Sequence, residues 1–130
     1  MGDARYGLED FELYRTARAF RVHVYAVLKQ LPRVETYCLG VQMRRAAISV
    51  SNNIAEGHGR WHFKDNVRFC IIARGSVEEL IDDLNICEDE AYADPTLLTQ
   101  LRTEANELVH RINRYIAYLR RTNQGQDERP

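Results

Sequence analysis

Apolar residues recur along this chain at alternating steps of three and four, the spacing that keeps one face of an α-helix apolar. The first run is Leu13, Ala17, Phe20, Val24, Val27 and Leu31. It predicts a helix over about 10–31, closed by Pro32, whose ring forbids continuation and biases the preceding residue away from helix. The second run predicts a helix over 34–56 that carries two stripes. Leu39, Met43, Ala46, Val50 and Ile54 form one; Val41, Ile48 and Ala55, at seven-residue spacing, form the other. A helix in a lone bundle keeps one face polar, so the second stripe marks either a wide core-facing arc or a contact with another subunit. Gly57 and Gly59 read as the stop. The third run, Phe63, Val67, Cys70, Val77, Ile81 and Leu84, predicts a helix over 63–91, with Arg74 in the seam between Cys70 and Val77. The fourth helix opens at Asp94-Pro95, an N-cap followed by proline at the first helical position. Leu98, Leu101, Ala105, Leu108, Ile112, Tyr115 and Leu119 then hold its seam. No segment alternates with period two, so no strand is predicted.

Short connections make sequential helices antiparallel, and an all-α, up-down-up-down four-helix bundle follows. A chain of 130 residues suits one domain. The ordered core is expected over about 8–121, with a polar tail at 122–130. Composition is 45% hydrophobic and 28% charged, which argues against disorder. Apolar runs are only a few residues long, so neither a membrane span nor a signal peptide is expected. The cysteines, Cys38, Cys70 and Cys87, are odd in number and contain no CxxC pair. They point to a reducing cytoplasm and read as small buried apolar residues.

Folding the second and third helices back on one another pairs residues whose numbers sum to about 120. Ala46 and Ala47 then face Ala73, Gly75 and Ser76. Close approach would explain a mid-helix glycine, which costs about 1 kcal/mol. The same register brings Arg44 and Arg45 toward Glu78 and Glu79, predicting a cross-helix ion-pair network, with Arg74 and Glu78 as a further four-residue pair. Arg45, Ser49, Asn53, Glu56, Arg74, Ser76 and Glu79 form the candidate polar network, its role to fix helix register or subunit contacts.

These residues also carry a resemblance. Gln42-Met43-Arg44-Arg45-Ala46-Ala47-Ile48-Ser49 is followed by Asn53-Ile54-Ala55-Glu56-Gly57 and Arg60, then by Phe69, Ala73-Arg74-Gly75-Ser76 and Glu79-Leu80. Over about 8–121 the chain resembles the bacterial four-helix bundle family encoded in intervening sequences of 23S ribosomal RNA genes. The resemblance implies a small cytoplasmic protein that assembles as a ring-like homopentamer, with no established enzymatic activity. Accessory proteins of diversity-generating retroelements look like distant relatives, and those engage reverse transcriptase and nucleic acid. They are strongly basic, whereas this chain has a formal net charge of −1.

Catalytic chemistries fit poorly. A bundle di-iron centre needs two Glu-x-x-His motifs, and only Glu107–His110 matches, with Glu107 turned from the seam by Leu108. His58 and His62 flank Gly59-Arg60-Trp61, where Gly57 and Gly59 make a helix doubtful, and no Cys or Asp completes a metal site. No phosphate loop, nucleophile elbow or zinc-protease motif occurs. The expectation is therefore a chain that is not an enzyme and has no catalytic residue, metal or cofactor.

Charge placement changes the picture once more. The stretch 78–94 holds eight acids and no lysine or arginine, so the rest of the chain is net positive. In an antiparallel bundle the opposite end gathers Arg60, Trp61, His62, Lys64, Arg68, Arg114, Arg120 and Arg121. Arginines for phosphates beside an aromatic for stacking make Arg60, Trp61, Lys64, Arg68, Arg114 and Arg121 the candidate RNA-contacting set. Two function classes follow: a self-assembling interaction module, partnered by its own copies, and an accessory protein that binds RNA or a nucleic-acid-processing protein.

Overall fold

The computed structural model describes residues 7–60 and 62–122; Trp61 and the expected polar tail beyond 122 lie outside the described residues. Four helices follow one another: α1 (Glu12–Leu28), α2 (Leu39–His58), α3 (Phe63–Asp89) and α4 (Pro95–Thr122). Single 3-10 turns at Leu8–Asp10 and Arg33–Glu35 precede α1 and α2. Each helix packs on its neighbour in sequence, most extensively α2 on α3, and α1 also packs on α4. That closure makes an antiparallel four-helix bundle, and no described residue lies in a strand.

The seams assigned from spacing form the core. Phe20, Val24 and Val27 of α1, Met43 and Val50 of α2, Val77 and Leu84 of α3, and Leu108 and Ile112 of α4 are fully buried. In α3 Leu80 is buried in place of the expected Ile81, which is half-buried like the expected Leu31 and Phe63. In α4 the buried position is Ile116, while Tyr115 is half-buried. Asp94 caps α4 as expected, its Oδ1 accepting the Thr96 N–H at 3.3 Å.

Helix ends differ from expectation where backbone hydrogen bonds are settled by context. Asp10 lies in the first 3-10 turn, and α1 stops at Leu28, ahead of Pro32. Val34 belongs to the single turn Arg33–Glu35, not to α2, and its side chain is solvent-exposed. The α1–α2 connection is accordingly longer, at 29–38. Helix α3 ends at Asp89, because Ala91 takes a left-handed φ of 56°. Gly57 continues α2 rather than stopping it, and Gly59 is the C-cap.

The glycines divide the work differently from the sequence expectation. A Cβ at Gly57 would lie 2.6 Å from Asn66 Oδ1 and 3.2 Å from the Asn66 carbonyl, so Gly57 is where α2 and α3 require a hydrogen for a side chain. Gly75, expected at that close approach, instead lies on the exposed side of α3, and a Cβ there would meet nothing within 4 Å. Ala46, Ala47, Ala73 and Ser76 do occupy the α2–α3 interface as buried residues.

Cys70 and Cys87 are buried, as expected. Burial raises their thiols, Cys70 to about 12 and Cys87 to about 11, which keeps both protonated and unreactive. Cys38 is exposed, a correction that follows from its place just before α2 rather than within it.

Candidate functional site

The polar network between α2 and α3 is narrower than the sequence suggested. Its centre is Ser49 Oγ and Ser76 Oγ, 2.8 Å apart across the two helices. Asn53 Nδ2 donates to the Ser49 carbonyl at 2.8 Å and to Ser49 Oγ at 3.0 Å. The other four expected members are elsewhere. Glu56 accepts from Arg60 Nη2 at 2.6 Å, just beyond the C-cap of its own helix. Arg74 reaches away from α2 and donates to Asn113 Oδ1 of α4 at 2.7 Å, so it forms no pair with Glu78. Arg44 lies over the Tyr25 ring of α1, 5.1 Å from its centroid. Arg45 and Glu79 are exposed and have no hydrogen-bond or ion-pair partner among the described residues. The expected cross-helix ion-pair network is thus absent within one chain. Both side chains point outward from the groove, where the gap between helix axes separates them.

What lies around Arg45 and Glu79 is apolar. Val41 precedes Arg45, and Ile48 and half-buried Ala55 follow it, along the outer side of α2, and Ile72 and Ile86 flank Glu79 along the outer side of α3. Ile48 is 36% exposed and Ile72 is 45% exposed. The α2 stripe that exceeded the needs of a lone bundle therefore stays outside the core. Gly75 sits between Ile72 and Glu79 on the same side of α3. The face ends in a cleft of about 370 Å³ lined by Tyr37, Cys38, Val41, Gln42, Arg45 and Ile86, among others. Tyr37, at its rim, is 86% exposed. The sequence signal for Ile72 and Ile86 was available, as a second stripe offset from the α3 seam; the strong core run Cys70–Val77–Leu84 masked it.

Beneath this face lies Asp83, only 4% exposed, whose Oδ2 has no hydrogen-bond partner. Burial, and then the charges of Glu79 and Asp82, push its carboxyl from 3.8 up to about 6. Nothing in the local sequence distinguishes Asp83 from its acidic neighbours. Only its helical phase, beside Ser76 and Leu80, carries it inward.

The candidate RNA-contacting residues do not form one patch. Arg60 and Arg68 lie against the same ring, their guanidiniums 5.0 and 5.5 Å from the centroid of Phe69. Arg68 also approaches Asp65 at 3.9 Å. Arg114 stands with Arg111 beside Glu107, which places it on the flank rather than the end. Arg121 lies over Tyr118, 5.9 Å from its centroid. Lys64 occupies the first turn of α3, and Trp61 lies outside the described residues. The bundle end itself is closed by Phe11, stacked on His58 at 4.8 Å and tilted against Tyr115 at 5.1 Å. The acidic end is also partly neutralised, since Arg102 of α4 meets Glu88 at 3.1 Å. Among the described residues, no group of His, Cys, Asp and Glu side chains could hold a metal ion, and no helix is long and apolar enough to cross a membrane.

Known proteins bear on this arrangement in two ways. A solved structure from Bacteroides thetaiotaomicron, described as a protein of unknown function from the S23 ribosomal protein family, has the same fold. It is 17% identical with a TM-score of 0.74, and the match covers 80% of this chain and 97% of that one. No curated protein matches. The family described as 23S rRNA-intervening sequence protein matches residues 9–114, which span all of α1, α2 and α3 and most of α4. With that match over a bundle of the same topology, the chain belongs to the 23S rRNA-intervening sequence protein family.

Proposed function

We propose that this protein is a non-enzymatic assembly module of the cytoplasm, whose α2–α3 face packs against further copies to form a homopentameric ring. The observation that carries this reading is the apolar face itself: Val41, Ile48, Ile72 and Ile86 exposed together on adjacent helices. Gly75 adds to it. An exposed mid-helix glycine costs about 1 kcal/mol against alanine. This chain packs nothing against Gly75, so the space serves a neighbour that comes close to the α3 backbone. A face used head-to-tail generates a closed ring when the rotation between copies allows it.

Native mass spectrometry of the full chain tests this. The wild-type protein is expected as a multiple of 15.2 kDa, five copies in the favoured form. Replacing Ile48 and Ile72 together with glutamate should give a folded monomer, because charge on a desolvated face opposes association while both positions lie outside the core. A wild-type monomer at micromolar concentration would overturn the reading.

The two guanidiniums against Phe69 favour a second reading, an end of the bundle that contacts RNA through arginine and aromatic surfaces. Affinity for a short single-stranded RNA should then fall as salt rises. The combined Arg60→Ala and Arg121→Ala variant should bind several-fold more weakly, with its salt slope reduced by about 1.4. No binding in filter assays at low salt would sink this reading.

A further inference from the structure

We infer that Arg45 and the acids Glu79 and Asp82 are the two halves of an intersubunit lock, with Arg45 of one copy docking on the α3 ridge of the next. This rests on the self-assembly reading and names what orients the copies. The bond between Ser49 and Ser76 fixes the register of α2 against α3. In that antiparallel register Arg45 stands level with Leu80, next to Glu79, yet no ion pair joins it to either acid. The reason is geometric. The two helices pack through Ala46, Ala47, Ala73 and Ser76 below, which leaves Arg45 and Glu79 on separate ridges facing outward.

Many other surface arginines of this chain find partners within it, although Arg33 and Arg120, like Arg45, have none among the described residues. Arg18 meets Glu9, Arg60 meets Glu56, Arg102 meets Glu88 and Arg111 meets Glu107. Arg45 stands instead amid Val41, Ile48 and Ile86, where desolvation by a docked partner would leave its charge costly unless that partner supplies carboxylates. A second copy laid ridge to ridge, its α3 over this α2, supplies Glu79 and Asp82 at that level. Charges at such a place set orientation and partner choice, while the surrounding isoleucines and Gly75 provide the close apolar contact. An unrelated apolar partner would have no reason to match this charge order, whereas every copy of the chain carries both halves.

A charge-swap experiment on the full chain tests the lock. Arg45→Glu, Glu79→Arg and the double variant carrying both are made, and masses are compared with wild type by native mass spectrometry. Each single variant should need a roughly tenfold or higher concentration to assemble, because like charges then meet across the contact. The double variant should regain assembly, since every junction of a ring of any copy number, five included, then brings opposite charges together, whereas a mixture of the two single variants cannot alternate around five copies. Both positions are exposed, so each variant should keep the wild-type helicity and remain folded. Single variants that assemble like wild type, or a double variant that fails to recover, would overturn the lock while leaving assembly through the apolar face intact. A monomeric wild type would remove both.

Discussion

Asp83→Asn should stabilise the protein above neutral pH by about 1–2 kcal/mol and change little below about pH 4. The carboxyl is nearly fully buried, its Oδ2 has no partner, and Glu79 and Asp82 on the same helix repel its charge. Its value in the folded protein is therefore raised from 3.8 to about 6. A raised acid holds its proton more tightly when folded than when unfolded. Stability is thus greatest below the unfolded value, declines between roughly pH 4 and pH 6, and stays low above that. A shift of this size corresponds to about 3 kcal/mol at alkaline pH. An amide still costs something to bury without partners, so only part of that is recovered. The expected readout is a melting temperature roughly 5 °C higher at pH 8, with wild-type and variant curves converging near pH 4. Parallel curves across the whole range would show that Asp83 is not the group responsible. Protein concentration must be held fixed, because assembly also contributes to apparent stability.

Phe20→Ala carries the largest cost, about 3–5 kcal/mol. Phe20 is fully buried in the α1 seam, and truncation loses its transfer free energy and leaves a cavity that the surrounding helices fill only partly. Domains of this size have about 5–15 kcal/mol in total, so the variant should lie near the threshold of folding. That makes it a sensitive reporter of assembly. If copies stabilise one another, its melting temperature should rise with protein concentration more clearly than the wild type's. Urea unfolding followed by circular dichroism at two concentrations measures both effects. A midpoint unchanged from wild type would contradict the placement of Phe20 in the core.

The pH and concentration effects meet at the α2–α3 contact. Asp83 lies beneath the same ridge that carries Glu79, Asp82 and Ile86, so its ionisation adds negative charge next to the acidic half of the proposed lock. A docked Arg45 from another copy would oppose that charge. The apolar face, the unpartnered arginine and the buried carboxyl thus belong to one region of the bundle, while the basic residues at the other end are mostly held by carboxylates and aromatic rings of the same chain.

Spacing alone determined the four helices, their order, their antiparallel packing and nearly all of the core, because burial selects residues by helical phase and each seam repeats for several turns. It also showed a second apolar stripe on α2, open between a wide core-facing arc and a subunit contact, and the Asn-Ile-Ala-Glu-Gly and Gly-Ser-Val-Glu-Glu runs carried the family resemblance. Tertiary structure decided what phase cannot. Pairing residues by their summed numbers places Arg45 and Glu79 at one level, but only the tilt of the side chains shows them on separate ridges and unpaired. From sequence Gly57 reads as a helix stop and Gly75 as the point of close approach; the first proved to lie against Asn66 and the second to face open space. Asp83 is one acid among eight in its stretch, and a difference of one helical step buries it while Asp82 stays near the surface. The physical reason is common to all three. Periodicity specifies which side of a helix faces the core, whereas pairing, close approach and desolvation depend on distances of a few ångströms between side chains remote in sequence, and those exist only once the helices have packed.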